Sequence, residues 1–310
     1  MITYPWPPLP ETDLDRLQAD ILDALDGAWA NAQEERAKIL ALKDTAPRVP
    51  YRRALERVDR FEYAIQAFQD TVDQQAQNYV DLISGRYGAG AMQMAGWVAS
   101  GKLVWGNMDE YALASLASDS YDDFLRMSQE AGRTSKLFAN KVRSAAARTV
   151  WTQATNETAT HAARRFWKEL EALNIGVITY RNGAQYPAKA YAEMAARTKG
   201  AVAFNYGALD VARSESVTHM EVVDGPSCGW ESHNSTDYAN GSIRTIEECR
   251  EYPLSHPNCR RAFLPLSATM QRIVSEAEAA EAAEALGEEY ETELFIPALE
   301  RYKETLRKVA

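Results

Sequence analysis

Apolar residues recur at threes and fours from Glu11 to about Lys43, at Leu14, Leu17, Ile21, Leu25, Trp29 and Ala32. That spacing brings them to one side of a 3.6-residue helix, so the segment reads as an amphipathic helix with one buried stripe. The Pro47–Pro50 segment ends it, because proline has no amide hydrogen to donate and restricts the residue ahead of it. A second stripe follows at Leu55, Val58, Ile65, Phe68, Val72, Ala76, Tyr79 and Ile83. Two long helices joined by a short proline turn are expected to fold back as an antiparallel hairpin, each burying the other's stripe.

From residue 85 to 106 the character changes. Gly85, Gly88, Gly90, Gly96, Gly101 and Gly106 alternate with Met92, Met94, Trp97 and Trp105. The segment suits either a buried irregular connection or an adaptable subunit contact. Its opening glycines superficially suggest a phosphate loop, but the Gly-Lys-Ser/Thr end is missing and a helix, not a strand, precedes it. From Asn107 to Leu173 the helical pattern resumes, with Asp109 or Ser118 as caps and a break expected at Gly132.

After Leu173 the period shortens. Ile175–Tyr180, an Asn182-Gly183 turn and Gln185–Pro187 predict a short β-hairpin. Tyr191–Asp210 reads as helix, Val217–Val223 as a strand ended by the turn at Asp224–Ser227, and Ala262–Leu266 as a closing strand. The stretch between the last two strands reads as loop. Residues from Ala268 to Ala310 are expected to be helical, interrupted near Gly287 and Pro297. The expected fold is α+β: a mainly helical N-terminal half, a small mixed α+β domain and an acidic C-terminal helix. The expected boundaries are 1–172, 173–267 and 268–310.

Apolar content of 46% beside 25% charge fits a globular chain. No apolar run approaches the length of a membrane span, and Met1–Pro8 has neither the charge nor the apolar core of a secretory signal. That proline-stiffened start, with Tyr4 and Trp6, suits docking on a partner or packing on its own domain. The formal charge of -10 is concentrated: eight glutamates and no lysine or arginine fall within residues 276–293. Between Arg126 and Lys168, nine basic residues face only Glu130 and Glu157. Arg133, Lys136, Lys141, Arg143, Arg148, Arg164 and Arg165 are therefore candidates for contact with DNA phosphates, with an acidic neighbour or with water.

Two of the three cysteines and two of the four histidines crowd into one window, at Cys228, His233, His256 and Cys259. Thiolate and imidazole are zinc ligands, and Cys228, His256 and Cys259 with His233, Cys249 or Glu231 would supply four. A Cys228–Cys259 disulfide and small buried thiols stand as alternatives, the former disfavoured in a reducing compartment. His256 and Cys259 sit three apart in a proline loop, a spacing poorly suited to a nucleophile and its base. No Ser/His/Asp order, carboxylate pair or HExxH motif accompanies them, so the chain is expected not to be an enzyme.

Four matches in order resemble the phage head-morphogenesis family, the minor capsid proteins related to the Mu F protein. They are the hairpin with Tyr186 and Pro187 leading into the helix from Tyr191 to Thr198, the strand His219–Asp224, Cys228 after a turn, and His256–Arg260 followed by Phe263–Pro265. They span about residues 175–267. Two departures accompany them: Cys228 is not part of a Cys-x-x-Cys pair, and Arg261 stands where many members carry histidine. The resemblance implies a structural minor capsid protein of a tailed bacteriophage, present in several copies at the portal vertex or capsid interior after assembly in the host cytoplasm. Its partners would be the portal protein, the major capsid protein and packaged DNA, with no membrane and no cofactor beyond a structural zinc. The alternative is a zinc-dependent nucleic-acid-processing or hydrolytic protein that uses Cys228, His256 and Cys259.

Overall fold

The computed structural model describes residues 11–44, 50–98, 110–152, 164, 167–173, 177–179, 185–224 and 239–286. Helix α1 (Glu11–Leu40) runs into a 3-10 turn at Ala41–Asp44; α2 (Pro50–Val98) and α3 (Glu110–Thr152) follow. Strands β1 (Val177–Thr179) and β2 (Gln185–Pro187) then precede the long α4 (Ala188–Ser214). The chain continues through β3 (His219–Val223), β4 (Ile243–Thr245), α5 (Ile246–Glu251), β5 (Ala262–Pro265) and α6 (Ala268–Leu286). The protein is mostly helical with a small three-stranded antiparallel sheet, the mainly helical α+β fold that the patterning predicts.

Helices α1 and α2 pair as the two stripes require. Leu14 lies against Gly85, the Trp29 ring meets Phe68 edge-on at 5.0 Å, and Glu35 stands 4.0 Å from Arg57. Numbers rise along α1 as they fall along α2, so the helices are antiparallel. The α2 stripe is shifted by one residue at its start: Leu55 is 37% exposed, while Ala54 and Phe61 are buried. Positions 54, 58, 61, 65, 68, 72, 76, 79 and 83 make an unbroken helical face, and Leu55 lies about 100° away from it.

Two expected interruptions are absent. Helix α2 continues through Gly85, Gly88, Gly90 and Gly96 to Val98. The reason lies in its neighbour. A Cβ on Gly90 would collide with the Phe204 carbonyl of α4, and a Cβ on Gly207 of α4 would collide with the Tyr87 carbonyl of α2. Each glycine admits the other helix's backbone, so these glycines permit a crossing rather than a loop. Helix α3 likewise runs unbroken past Ser118 and Gly132. A Cβ on Gly132 would stand 2.8 Å from Nε2 of Gln69, which donates to the Ser128 carbonyl at 3.3 Å.

The segment expected to be loop before the His-Pro-Asn-Cys box contains β4 and α5. Thr245 accepts from the Glu248 amide, and the Glu248 side chain accepts from the Thr245 amide, a reciprocal cap that starts α5. The predicted hairpin is present, with Val177 opposite Pro187 and Thr179 opposite Gln185; its Asn182-Gly183 turn lies outside the described residues.

By contacts the chain forms two compact units, each drawn from separated stretches. One draws on Met1–Leu14, Leu82–Ala117 and Arg197–Ala310, the other on Asp15–Asp81 and Ser118–Ala196. The second unit has an aromatic core in which Phe61 and Phe138 pack at 5.1 Å, with Arg36 over Phe138 and donating to the Leu173 carbonyl. The first unit is built on the sheet, ordered β4-β3-β5. Met220, Val222 and Phe263 on one sheet face pack with Met94, Leu209, Ile246 and Cys249. The other face carries a smaller cluster of Leu266, Ile273, Val274 and Ala277, joined by Ile243 and Met270.

Candidate functional site

The His-Pro-Asn-Cys box folds as a tight turn. The Cys259 amide donates to the His256 carbonyl at 3.0 Å, which makes His256 to Cys259 a four-residue reversal. Proline at its second position presets φ, and Asn258 at the third has φ 64, the left-handed value that asparagine tolerates. These are the demands of a type II turn, and they account for the Pro-Asn pair. The Asn258 amide donates to Thr198 Oγ1 on α4 at 3.2 Å, and His256 Nδ1 lies 2.8 Å from the Pro257 carbonyl.

The turn delivers Cys259 and Arg261 inward and leaves Arg260 exposed. Arg261 meets Asp224, the residue that follows β3, in a two-pronged pair: Nε donates to Oδ1 at 2.7 Å and Nη2 to Oδ2 at 2.9 Å. Both side chains are completely buried. Arg261 Nη1 also donates to the Tyr252 carbonyl at 2.9 Å, and the Asp224 amide donates to Asn240 Oδ1 at 2.8 Å. The Cys259 thiol stands 4.0 Å from Asp224 Oδ1. From α4, the buried Asn205 donates to the carbonyls of Pro253 and Arg261, both at 2.9 Å. One ion pair and one amide thus fasten β3, the turn and α4 together. The sequence reading noted Arg261 only as a departure from the family, and its bond to Asp224 went unseen.

A second buried carboxylate lies nearby in the same unit. Asp210 of α4 accepts from the Tyr87 hydroxyl and from Arg250, and Arg213 stands 3.7 Å away. Arg250 also lies over the Tyr206 ring at 5.4 Å, while the Tyr206 hydroxyl donates to the Arg250 carbonyl. Both clusters hold charge in opposed, hydrogen-bonded pairs, the condition under which burial is tolerated.

The zinc candidates divide. Cys228 and His233, with Glu231, lie outside the described residues. His256 is half-buried and Cys259 buried on the turn. Cys249 is buried in the sheet's core, its thiol points to the Arg244 carbonyl, and burial pushes its pKa up to about 12. Among the described residues no group of three or more His, Cys, Asp or Glu side chains could hold a metal ion.

The basic candidates carry more acidic company than their own segment suggests. Arg133 grips Glu130 with two nitrogens at 2.9 and 2.6 Å, and Lys141 reaches Glu169 at 2.8 Å. Arg143 pairs with Glu62 at 2.7 Å and lies 3.6 Å from Asp59, both on α2. These hydrogen bonds raise the pKa of Arg133 and Arg143 and lower those of Glu130 and Glu62. Lys136 and Arg164 are exposed, whereas the side chain of Arg148 and the whole of Arg165 lie outside the described residues. Lys141 and Arg143 are therefore offset by carboxylates outside that segment.

Among the described residues no helix is long and apolar enough to cross a membrane. No family model, no curated protein and no solved structure matches this chain.

Proposed function

We propose that the protein is a structural minor capsid protein of a tailed bacteriophage, acting in head assembly, DNA packaging or delivery. The observation that carries this reading is the use made of the His-Pro-Asn-Cys-Arg box. Within the stretch that resembles the head-morphogenesis family, the box is a fold-closing turn with Cys259 and Arg261 packed on the Asp224 carboxylate. Such a use supports a scaffold more than a thiol chemistry, since a nucleophilic cysteine needs an exposed, electropositive setting. Exposed Lys136 and Arg164, beside the carboxylate-paired Arg133, Lys141 and Arg143, suit a weak, salt-sensitive contact with packaged DNA or an acidic protein face. The portal and major capsid proteins are the partners this role requires, at the portal vertex or capsid interior.

Mass spectrometry of purified virions and procapsids tests the proposal. The protein is expected in at least one of them, in several copies, and its absence from both overturns the reading. The zinc-dependent alternative draws no support from the described residues; stoichiometric zinc together with hydrolytic activity lost in Cys259→Ser would restore it.

A further inference from the structure

Helix α1 covers one face of α2 only as far as its own first turn. Leu14 lies against Gly85, and α1 begins three residues earlier at Glu11. Past Gly85 that face of α2 continues. Ala89, Met92 and Gly96 lie within about 40° of Gly85 around the helix axis. Ala89 is half-buried, Met92 is 45% exposed, and Gly96 is exposed with nothing within 4 Å of where its Cβ would stand. Gln93 and Trp97, the latter 48% exposed, border the face on one side. The other side of α2 is occupied: Met94 and Ala95 belong to the sheet's core, and α4 crosses at Gly90. No charged side chain occurs from Tyr87 to Val98, so the patch holds nothing that would draw a phosphate backbone.

The chain ahead of Glu11 starts from the end of this face. Residues 1–10 lie outside the described residues; their sequence carries Pro5, Pro7, Pro8 and Pro10 and no charged side chain. Prolines at that density favour a polyproline II helix, with three residues per turn and a rise of about 3.1 Å per residue. Trp6 and Leu9 stand three apart and so share one side of such a helix. The lengths agree. Because α1 and α2 are antiparallel, the path from Leu14 back through Glu11 heads toward Val98. At about 1.5 Å per residue, Met92 lies about 6 Å past the level of Glu11, and Gly96 and Trp97 about 12–14 Å past it. At the polyproline rise, Leu9 comes after about 6 Å and Trp6 after about 15 Å. Leu9 is then level with Met92, and Trp6 with Gly96 and Trp97, where the glycine leaves room for an indole ring.

We infer that the proline-rich segment 1–10 of this same chain docks on the Met92–Trp97 face of α2, with Leu9 on Met92 and Trp6 at Gly96 against Trp97. The arm prolongs the cover that α1 provides and removes from water apolar surface that α1 does not reach. Polyproline segments dock on aromatic-lined surfaces at low entropic cost, because their helix is preformed; Trp97 supplies the aromatic wall. The inference stands independently of the capsid reading.

Hydroxyl-radical footprinting of the full chain, read by mass spectrometry, tests it through the labelling rates of Met92 and Trp97. In Trp6→Ser/Leu9→Ser both are expected to label about threefold faster than in the unaltered protein, the ratio for an arm docked about two-thirds of the time. Tyr63, 78% exposed elsewhere on α2, should keep its rate and serves as the reference. Met92→Glu, which alters a side chain already in contact with water, gives the reciprocal readout: Trp6 should label about threefold faster as the arm is released. Equal rates at Met92 and Trp97 with and without the arm substitutions overturn the inference, as does an unchanged Trp6 in Met92→Glu. Protection that survives the arm substitutions also overturns it; loss of that protection on dilution would mark a second copy as the occupant, and its persistence another stretch of this chain.

Discussion

Asp224 and Arg261 meet through two parallel hydrogen bonds of 2.7 and 2.9 Å, and neither side chain is exposed. The pair joins the end of β3 to the residue just before β5, so it spans the sheet from a strand end to the return turn. Breaking one side of such a pair leaves a bare charge in the interior, which costs about 3–5 kcal/mol.

Arg261→Met is therefore expected to lower the unfolding free energy by about 3–5 kcal/mol, seen as an earlier midpoint in urea titration. The double variant Asp224→Leu/Arg261→Met removes both charges and should cost less than Arg261→Met alone. A double variant that costs the sum of the two single variants would show that the pair's value lies outside its charge complementarity.

The crossing at Gly90 and Gly207 makes a sharper prediction. Gly90→Ala or Gly207→Ala drives a methyl into a backbone carbonyl that no side-chain rotation relieves, so each should destabilise by about 3 kcal/mol or more. Gly27 in α1 has nothing within 4 Å of its missing Cβ. Gly27→Ala should instead stabilise by about 0.5–1 kcal/mol, the ordinary gain from replacing glycine inside a helix. Thermal melts of the three variants would order them.

Asn258 holds the turn at φ 64. Asn258→Gly should leave stability within a few tenths of a kcal/mol, whereas Asn258→Ala should cost about 1–2 kcal/mol for its left-handed backbone. Equal losses in both would indicate that the side chain of Asn258, not its backbone, is what the turn needs.

Burial pushes the Cys249 thiol up to about 12 from 9.0. The folded protein therefore holds the protonated thiol more strongly than the unfolded chain does. This contribution to stability is intact below the ordinary value of 9.0 and is lost as pH climbs from there toward about 12. At pH 8 Cys249 should resist alkylation until denaturant is added; mass spectrometry of iodoacetamide-treated protein, native and unfolded, checks this.

What the sequence made legible follows from how local each signal is. The stripes of α1 and α2 recur every three or four residues and survive an error of one position, as Leu55 and Ala54 illustrate. The hairpin of β1 and β2 was readable from Ile178 and the Asn182-Gly183 pair because a turn writes its demands into adjacent residues. Helix α5 was missed although Thr245 and Glu248 carry its signature, because polar neighbours concealed so short an element. The Asp224–Arg261 and His219–Glu278 pairs join residues 37 and 59 positions apart, and no local pattern marks either partner. Gly90 of α2 misled for a related reason: its neighbour is the Phe204 backbone, more than a hundred residues later.

That separation has a consequence during synthesis. Gly90 leaves the ribosome 117 residues ahead of Gly207, a delay of roughly 6 to 23 seconds at about 5–20 residues per second. For that interval the glycine face of α2 has no α4 to meet, and Met94 and Ala95 beside it wait without the residues that later bury them. Translation pauses placed before residue 207 would lengthen the interval during which this face lacks its folded-state neighbour.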